Sequence, residues 1–219
     1  MYKRLHLYNL MIPRIIIQTS RNKPEQYIVD MIKDSSPNWM YFHFNDEEVI
    51  KFFLSNPLIE FPNMVEKFYS FSYGEHRADL FRYYYLYVNG GVYFDTDAMV
   101  EQNLDFITKR YTYISVESTY FPDSIFQGFI GCTAGHPIIY KALKDIYCTS
   151  NSELTRTGEN FHLLCRNMYD FVKNYEDKTK IKLYMEVFGD VNTANIVDPD
   201  DNDKLILKHY HIKKIIPRK

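Results

Sequence analysis

The sequence predicts an α/β fold in which a mainly parallel, Rossmann-like central sheet is flanked by helices. The run at 12–19 is short, rich in isoleucine and largely apolar, which is typical of a strand buried on both faces of a parallel sheet. Helical and strand-like patterns then alternate, and the order β-α-β-α indicates parallel strands joined by crossover helices. A length of 219 residues fits one domain with elaborations.

The first half of the chain supplies most of this alternation. Pro24 suits the first turn of a helix, and Asn45 or Asp46 can cap the next one. A long helix ends at Gly90-Gly91, because glycine readily adopts the left-handed conformation of a helix cap. The predicted elements are a strand at 12–19, a helix at 25–33, a strand at 39–44, helices at 47–54, 63–73 and 75–88, and a strand at 92–94.

The second half is less regular but predicts the same kinds of element. His136-Pro137 starts a helix that runs to about Tyr147, and the amphipathic stretch at 160–175 predicts another. No repeat, low-complexity tract or linker divides the chain. Further strands are predicted at 111–117, 125–131, 182–188 and 205–210.

Composition disfavours several classes of protein. Lys and Arg number 26 and Asp and Glu 28, so a net charge of −2 provides no positive field to hold a nucleic-acid backbone. No stretch reaches the ~18 apolar residues of a membrane span, and residues 1–11 lack the apolar centre of a secretory signal. Cys132, Cys148 and Cys165 lack metal-binding spacing, so we expect reduced core thiols. These features predict a soluble, cytoplasmic protein that binds no nucleic acid.

Two carboxylates follow the strand at 92–94 directly. Asp95 and Asp97 would be a weak signal by themselves, because acidic pairs two residues apart are common. Their position at the carboxyl end of a strand in an open α/β sheet, however, is where ligands bind. Carboxylates crowded on a short turn favour a cation, and oxygen ligands suit Mg²⁺ or Mn²⁺. The sequence therefore predicts a metal site that clamps a diphosphate.

Asp79 and Arg82 lie three residues apart on the preceding helix and therefore share a face. Beside a Gly-Gly turn and a metal pair, the two side chains can accept from and donate to sugar hydroxyls or phosphate oxygens. An ordinary surface ion pair, worth under about 1 kcal/mol, is the alternative that spacing alone leaves open.

The stretch at 78–97 resembles the donor-sugar-binding region of the DXD glycosyltransferases, the family that contains the yeast initiating α-1,6-mannosyltransferase. The clostridial glucosylating toxins carry a more distant version. The residues that carry the resemblance are Ala78-Asp79-Leu80-Phe81-Arg82-Tyr83, Leu86-Tyr87 and Gly90-Gly91-Val92-Tyr93-Phe94-Asp95-Thr96-Asp97. Four other landmarks are similar to family motifs: the strand at 12–19 with Ile17 in place of the usual His, 127–131 with Gln127 in place of Asn, 135–137, and Thr157-Gly158 followed by Glu159 instead of Pro.

The resemblance implies a GT-A fold and one catalytic domain over 1–219. Residues 12–100 would form the nucleotide-sugar-binding half, and 101–219 the acceptor-side half with a C-terminal tail. Family members commonly end in a His that helps to complete the metal shell. His209 is the preferred candidate for that ligand, with His211 or neither as the alternatives.

Roles for individual residues also follow from the resemblance. Asp97 would bind the metal directly, and Asp95 would bridge the metal and the ribose. Asp79 and Arg82 would hold hydroxyls of the donor sugar and, with the two DXD carboxylates, form the catalytic set. The resemblance also implies that Gln18, Thr19 and Tyr93 lie along the nucleoside. Independently of the resemblance, Gln127 and Glu117 are candidates on the acceptor side, Gln127 also for the nucleotide sugar, and a structural role is the alternative for each.

The implied activity is transfer of a hexose from a UDP- or GDP-sugar to a hydroxyl of a glycan, lipid or protein, with Mn²⁺ or Mg²⁺ as cofactor and with retention of anomeric configuration. One alternative is a metal-dependent phosphoester or nucleotide-sugar hydrolase, for which His76 is the nearby candidate base. Another is a sugar-nucleotide-binding protein that has lost turnover. The sequence leaves the donor base, the sugar and the acceptor open.

Overall fold

The computed structural model describes residues 11–155, 159–190 and 193–210. Over these residues the chain forms nine strands and seven α-helices. The strands are β1 (Ile15–Thr19), β2 (Met40–Phe44), β3 (Gly91–Phe94), β4 (Ala98–Val100), β5 (Tyr113–Glu117), β6 (Ile125–Cys132), β7 (Ile181–Phe188), β8 (Thr193–Asp198) and β9 (Lys204–Tyr210). The helices are α1 (Gln26–Ser35), α2 (Asp46–Ser55), α3 (Met64–Ser70), α4 (Gly74–Asn89), α5 (Leu104–Thr108), α6 (Pro137–Cys148) and α7 (Leu163–Lys173).

The nine strands form one mixed sheet in the order β2-β1-β3-β6-β5-β7-β8-β9-β4. The pairs β1-β2, β1-β3 and β5-β7 are parallel, whereas β3-β6, β5-β6, β7-β8, β8-β9 and β4-β9 are antiparallel. The prediction of a mainly parallel sheet is therefore wrong. It extrapolated from the β-α-β-α start, whereas β5-β6, β7-β8 and β8-β9 are connected by short loops that reverse the chain, as antiparallel pairing allows.

The predicted elements are found with small shifts at their ends, and three short ones were missed. Asn45 caps α2 through a capping box with Glu48, in which each side chain accepts from the other residue's backbone N–H. Gly90 follows α4 with φ +68°, as expected for a glycine cap. The missed elements are β4, α5 and β8, of three, five and six residues. The Thr157-Gly158 landmark and His211 lie outside the described residues.

Apolar side chains pack on both faces of the sheet. Ile16 and Ile17 are neighbours on β1 and belong to two different core clusters, because successive side chains of a strand point to opposite faces. The tyrosines Tyr83, Tyr84 and Tyr85 of α4 are buried, so they belong to the core. Among the described helices, none is both long enough and apolar enough to cross a membrane.

The three cysteines are unpaired, as expected, but they do not all lie in the core. Cys132 is buried, Cys165 is half-buried and Cys148 is exposed at the end of α6. The expectation of three core thiols is therefore wrong for Cys148, because this last residue of α6 lies on the solvent-facing side of an amphipathic helix.

Candidate functional site

The Asp95-Thr96-Asp97 turn lies between β3 and β4, where the chain leaves the middle of the sheet. Gly91 begins β3 with φ +110°, and a Cβ there would lie 2.8 Å from the Ile15 carbonyl oxygen of β1. The Asp95 N–H donates to the Gly128 carbonyl over 2.9 Å, and the Ala98 N–H donates to the Asp95 carbonyl over 3.1 Å. The bond to Gly128 holds the turn against β6, and the bond from Ala98 closes the turn itself.

Asp95, Asp97 and His209 together form a cluster that can hold a metal ion. One ligand atom from each lies within 4.8 Å of the others. The cluster depends on pairing across the sheet, because Ala98 of β4 lies opposite His209 of β9. His209 is buried, and its Nε2 lies 3.1 Å from Asp97 Oδ1. Two carboxylates and an imidazole are a donor set that suits Mn²⁺ and related divalent ions.

The pKa of His209 reflects this position. Burial lowers it, but the hydrogen bond and the charge of Asp97, followed by the charges of Asp95 and Glu186, outweigh burial and raise it above its ordinary value. Positive charge is therefore favoured at His209, and a metal cation would compete with a proton for the ring nitrogen.

Arg82 lies at the centre of a buried network on the other side of Asp95. Its Nη2 lies 3.4 Å from Asp79 Oδ1 and 3.5 Å from Asp95 Oδ1, and its Nη1 donates to the Gln127 carbonyl over 2.5 Å. The guanidinium also lies 4.2 Å above the Tyr93 ring. Burial by itself lowers the pKa of Arg82, but Tyr93 and the two carboxylates raise it overall. Asp79 and Arg82 therefore belong to a largely buried network and are not an ordinary surface ion pair.

Gln127 lies on the opposite wall of this network. Its Oε1 accepts a hydrogen bond from the Tyr83 hydroxyl, whose pKa burial raises well above its ordinary value, so the phenol keeps its proton. The Gln127 Nε2 is buried and has no hydrogen-bond partner among the described residues. A buried amide donor without a partner costs about 1–3 kcal/mol and is suited to a ligand that accepts from it.

Of the three expected nucleoside contacts, Thr19 and Tyr93 line the cleft described below, and the Thr19 hydroxyl donates to the Phe44 carbonyl over 2.8 Å. Gln18 is completely buried, and its amide donates to the Asp95 carbonyl over 3.0 Å while its oxygen accepts from the Tyr41 hydroxyl. Tyr93 donates its hydroxyl to Asp95 Oδ1 over 2.8 Å, and Arg82 covers its ring. Gln18 and Tyr93 therefore position Asp95, and Gln18 itself does not line the cleft.

A cleft of about 380 Å³ opens over these groups. The expected residues that line it are Thr19, Asp79, Arg82, Tyr93, Asp95, Asp97 and Gln127. Glu117 does not line it but faces a separate hollow beside Lys182. His76 is buried behind Asp79, with Nδ1 3.5 Å from Asp79 Oδ2.

The cleft is also lined by residues that sequence reasoning did not select, among them Phe126 and Cys165. The Phe126 ring packs against His209, with 4.8 Å between ring centroids. Burial raises the pKa of the Cys165 thiol to about 12, so it remains protonated at neutral pH. The resemblance at Gln127 could have drawn attention to its neighbour Phe126, whereas nothing in the sequence marks Cys165.

Comparisons with known proteins agree with the resemblance at 78–97. Residues 22–114 match the family model described as the glycosyltransferase sugar-binding region containing the DXD motif. The chain is 31% identical over 142 residues to a mannosyl phosphorylinositol ceramide synthase of Saccharomyces cerevisiae, a match that covers 62% of this chain and 35% of that protein. It is 27% identical over 139 residues to an inositol phosphoceramide mannosyltransferase of Schizosaccharomyces pombe, with 62% and 37% covered.

The chain thus aligns with little more than a third of the length of these two relatives. Among solved structures, the PaToxG glycosyltransferase is similar at a TM-score of 0.49 and 16% identity, and the match covers 74% of this chain and 69% of that one.

Proposed function

We propose that the protein is a metal-dependent glycosyltransferase that uses a nucleoside-diphosphate sugar, because residues 22–114 match the glycosyltransferase sugar-binding region that contains the DXD motif. The observation that carries the proposal is the position of two groups of residues on either side of Asp95, with Asp79, Arg82, Asp95 and Asp97 lining one cleft and His209 buried against Asp97. The candidate metal ligands Asp95, Asp97 and His209 lie within 4.8 Å of one another, and Asp79 with Arg82 lies on the other side of Asp95.

Asp95, Asp97 and His209 are proposed to hold the divalent ion, with Mn²⁺ as the first candidate and Mg²⁺ as the second. A cation bound there would neutralise the charge that develops on the departing diphosphate. Asp95 has a second task, because its other contacts are with Tyr93 and Arg82 and it therefore connects the ion to the sugar-binding side.

Asp79 and Arg82 are proposed to bind the donor sugar. The Asp79 carboxylate accepts from hydroxyl groups, while the Arg82 guanidinium donates to hydroxyl or phosphate oxygens. Both are held by the buried network, so little side-chain entropy is lost when the sugar binds. Thr19, at the end of β1, lines the same cleft and is proposed to lie along the nucleoside.

The half of the chain up to residue 100 is proposed to bind the donor, and the later half to face the acceptor hydroxyl. The names of the two fungal relatives make mannose the first sugar to test. Retention of the anomeric configuration is proposed on the family resemblance, and an α-linked donor would then give an α-linked product.

The hydrolase alternative needs a base that faces bound water. His76 was the sequence candidate, but it is buried, it lies against Asp79 and it is not among the residues that line the cleft. The position of His76 therefore favours a transferase, in which the acceptor hydroxyl takes the place of water.

The test is a thermal-shift screen of UDP- and GDP-sugars with and without Mn²⁺, followed by product analysis. A ligand that binds only the native state raises the melting temperature by mass action. We expect a cation-dependent rise with one nucleotide, and sugar transfer when an acceptor is added.

Asp97→Asn should abolish the cation-dependent rise and the turnover while the protein still melts cooperatively. Asp201→Asn is the matched control, because Asp201 is an exposed aspartate in the turn between β8 and β9. Full Mn²⁺-dependent turnover in Asp97→Asn would contradict the metal role, and donor cleavage that no acceptor intercepts would favour the hydrolase.

A further inference from the structure

Exposed aromatic side chains from three separate segments come together beside β7. They are Phe121 in the β5-β6 loop, Phe161 in the turn before α7 and Phe188 at the end of β7, exposed by 48%, 41% and 74%. The His162 ring centroid lies 3.6 Å from that of Phe121 and 4.6 Å from that of Phe161, and the Tyr120 ring lies 4.3 Å from Phe188. These five residues are called the aromatic rim below.

Strand register places one end of the rim on the same face of the sheet as His209, one of the proposed metal ligands. Phe188 is paired with Ala194 of β8, and Ala194 is paired with His209 of β9. Directly paired side chains lie on the same face of a sheet. Adjacent strands are about 4.8 Å apart, so Phe188 lies roughly 10 Å from His209 along this row. The residue between them is alanine, so no long side chain of β8 separates them.

Other contacts tie the rim to the cleft. Buried Glu186 lies on β7 two residues before Phe188. It accepts a hydrogen bond from Ser118 and, at its backbone carbonyl, one from Thr119, which precedes Tyr120 in the chain. At the start of α7, Cys165 lines the cleft and lies three residues after His162 of the rim, which is about one helical turn. Strand pairing and the position of Cys165 in the chain therefore place the rim beside the cleft.

The rim also lies on the side where an acceptor is needed. In the sheet order, β3 and its DXD turn lie between β1, which ends at Thr19, and β7, which ends at Phe188 of the rim. On the proposed function, the donor occupies the β1 side, so the acceptor hydroxyl has to approach from the β7 side.

Resting on that proposed function, we propose that the aromatic rim binds the acceptor and that the acceptor presents a saccharide ring that stacks on Phe188 and Phe121. A sugar ring has an apolar C–H face and a polar edge. Rigid aromatic rings offer it contact area at little cost in conformational entropy. Asp123 and Asp190 are exposed, each lies two residues from an exposed aromatic ring, and each can accept hydrogen bonds from hydroxyls at the edge of a sugar ring. The same carboxylates disfavour a membrane as the partner, because an anionic membrane surface repels them.

The test measures transfer to methyl glycosides of mannose, glucose and galactose alongside slow hydrolysis of the donor by water. Phe188→Ala and Phe188→Leu should each raise the acceptor KM about tenfold, while Phe188→Trp stays within about twofold of the unaltered protein. Donor hydrolysis should be unchanged in all three, because the donor does not contact the rim. Phe106→Ala is the matched control, since Phe106 is 76% exposed on α5 and lies outside the rim.

Three results would overturn the proposal: an unchanged acceptor KM in both Phe188→Ala and Phe121→Ala, full function in Phe188→Leu, or no transfer to any methyl glycoside by a protein that hydrolyses the donor. Binding to phosphatidylcholine vesicles that is lost in Phe188→Ala would assign the rim to a membrane instead. Failure of the proposed function is distinguishable, because the unaltered protein would then neither bind nor cleave any nucleotide sugar.

Discussion

Asp95 is held from three sides. Tyr93 donates to its carboxylate, Gln18 donates to its carbonyl, and Arg82 compensates its charge at 3.5 Å. The pKa of the Tyr93 phenol is raised well above its ordinary value, first by burial, so this donor keeps its proton at every physiological pH. A carboxylate with so many fixed partners is preorganised, and little reorganisation is needed when a ligand arrives.

Gly128 is required for this arrangement. A Cβ at this position would lie 2.6 Å from Asp95 Oδ2 and against the Phe126 ring, so one of the two side chains would have to move. We expect Gly128→Ala to weaken Mn²⁺ binding at least tenfold and to lower the unfolding free energy by about 1–3 kcal/mol. Gly74→Ala is the control, since a Cβ there meets nothing within 4 Å. The measurement is the Mn²⁺ dissociation constant of each variant by titration. Equal Mn²⁺ affinities for Gly128→Ala and Gly74→Ala would count against the role of Gly128.

Arg82 should not tolerate replacement by lysine. The guanidinium makes contacts in several directions, with Asp79, Asp95 and the Gln127 carbonyl, and an ammonium group cannot reproduce that fork. We expect Arg82→Lys to lower the unfolding free energy by about 2–4 kcal/mol and to abolish the nucleotide-sugar thermal shift. Arg110→Lys, at an exposed position before β5, is the control and should leave both within error. A donor-dependent shift of normal size in Arg82→Lys would refute its role in sugar binding.

At the scale of elements, the start of α6 is sensitive to pH. His136 caps this helix, and its Nδ1 accepts from the Ile138 N–H over 3.3 Å, which requires a neutral ring. Burial between the rings of Tyr113 and Tyr175 lowers the pKa of His136 from 6.5 to about 4. The family-like Gly-His-Pro landmark thus has a structural role here.

The sign of the pH dependence follows from this shift. The unfolded chain takes up a proton at His136 as the pH falls through 6.5, whereas the native state resists until about 4. The unfolding free energy is therefore highest above pH 6.5 and falls between 6.5 and 4, by on the order of 3 kcal/mol from this group. His136→Asn keeps a capping side chain that does not titrate. Urea unfolding of both proteins at several pH values should show a shallower fall for the variant, and parallel curves would contradict the assignment.

At the scale of the whole molecule, the proposed metal site joins parts of the chain that are far apart in sequence. Asp95 and Asp97 follow β3, whereas His209 lies near the end of β9, and the pairing of β4 with β9 brings them together. A cation bound there would link the first and last parts of the sheet in the native state only.

Metal removal should therefore lower the melting temperature. At a Mn²⁺ concentration about 100 times the dissociation constant, binding stabilises by roughly 2.7 kcal/mol. For a chain of this size that corresponds to about 5–11 °C. Calorimetry of samples with Mn²⁺ and with a chelator should show this difference, and His209→Ala should remove most of it. The same shift in His209→Ala as in the unaltered protein would exclude His209 as a ligand.

Local patterns account for much of what could be predicted. The helix periodicities, the Asn45 cap and the Gly90 turn depend on neighbours in the sequence, and the structure contains them. Asp79 and Arg82 were placed on one face by helical spacing, and the structure shows them 3.4 Å apart. Spacing could not decide whether that pair was buried, because burial depends on Tyr93 and on the wall formed by β6.

The sequence by itself determined the order of the early elements, the long helix before the Gly-Gly turn and the acidic turn after β3, since each rests on interactions within one element or between sequence neighbours. Only the tertiary structure decided that the sheet is mostly antiparallel, that His209 meets Asp97, and that Gln18 supports Asp95 from beneath. These features depend on strand register between distant segments, which no local pattern encodes, because the same apolar run fits a parallel or an antiparallel neighbour.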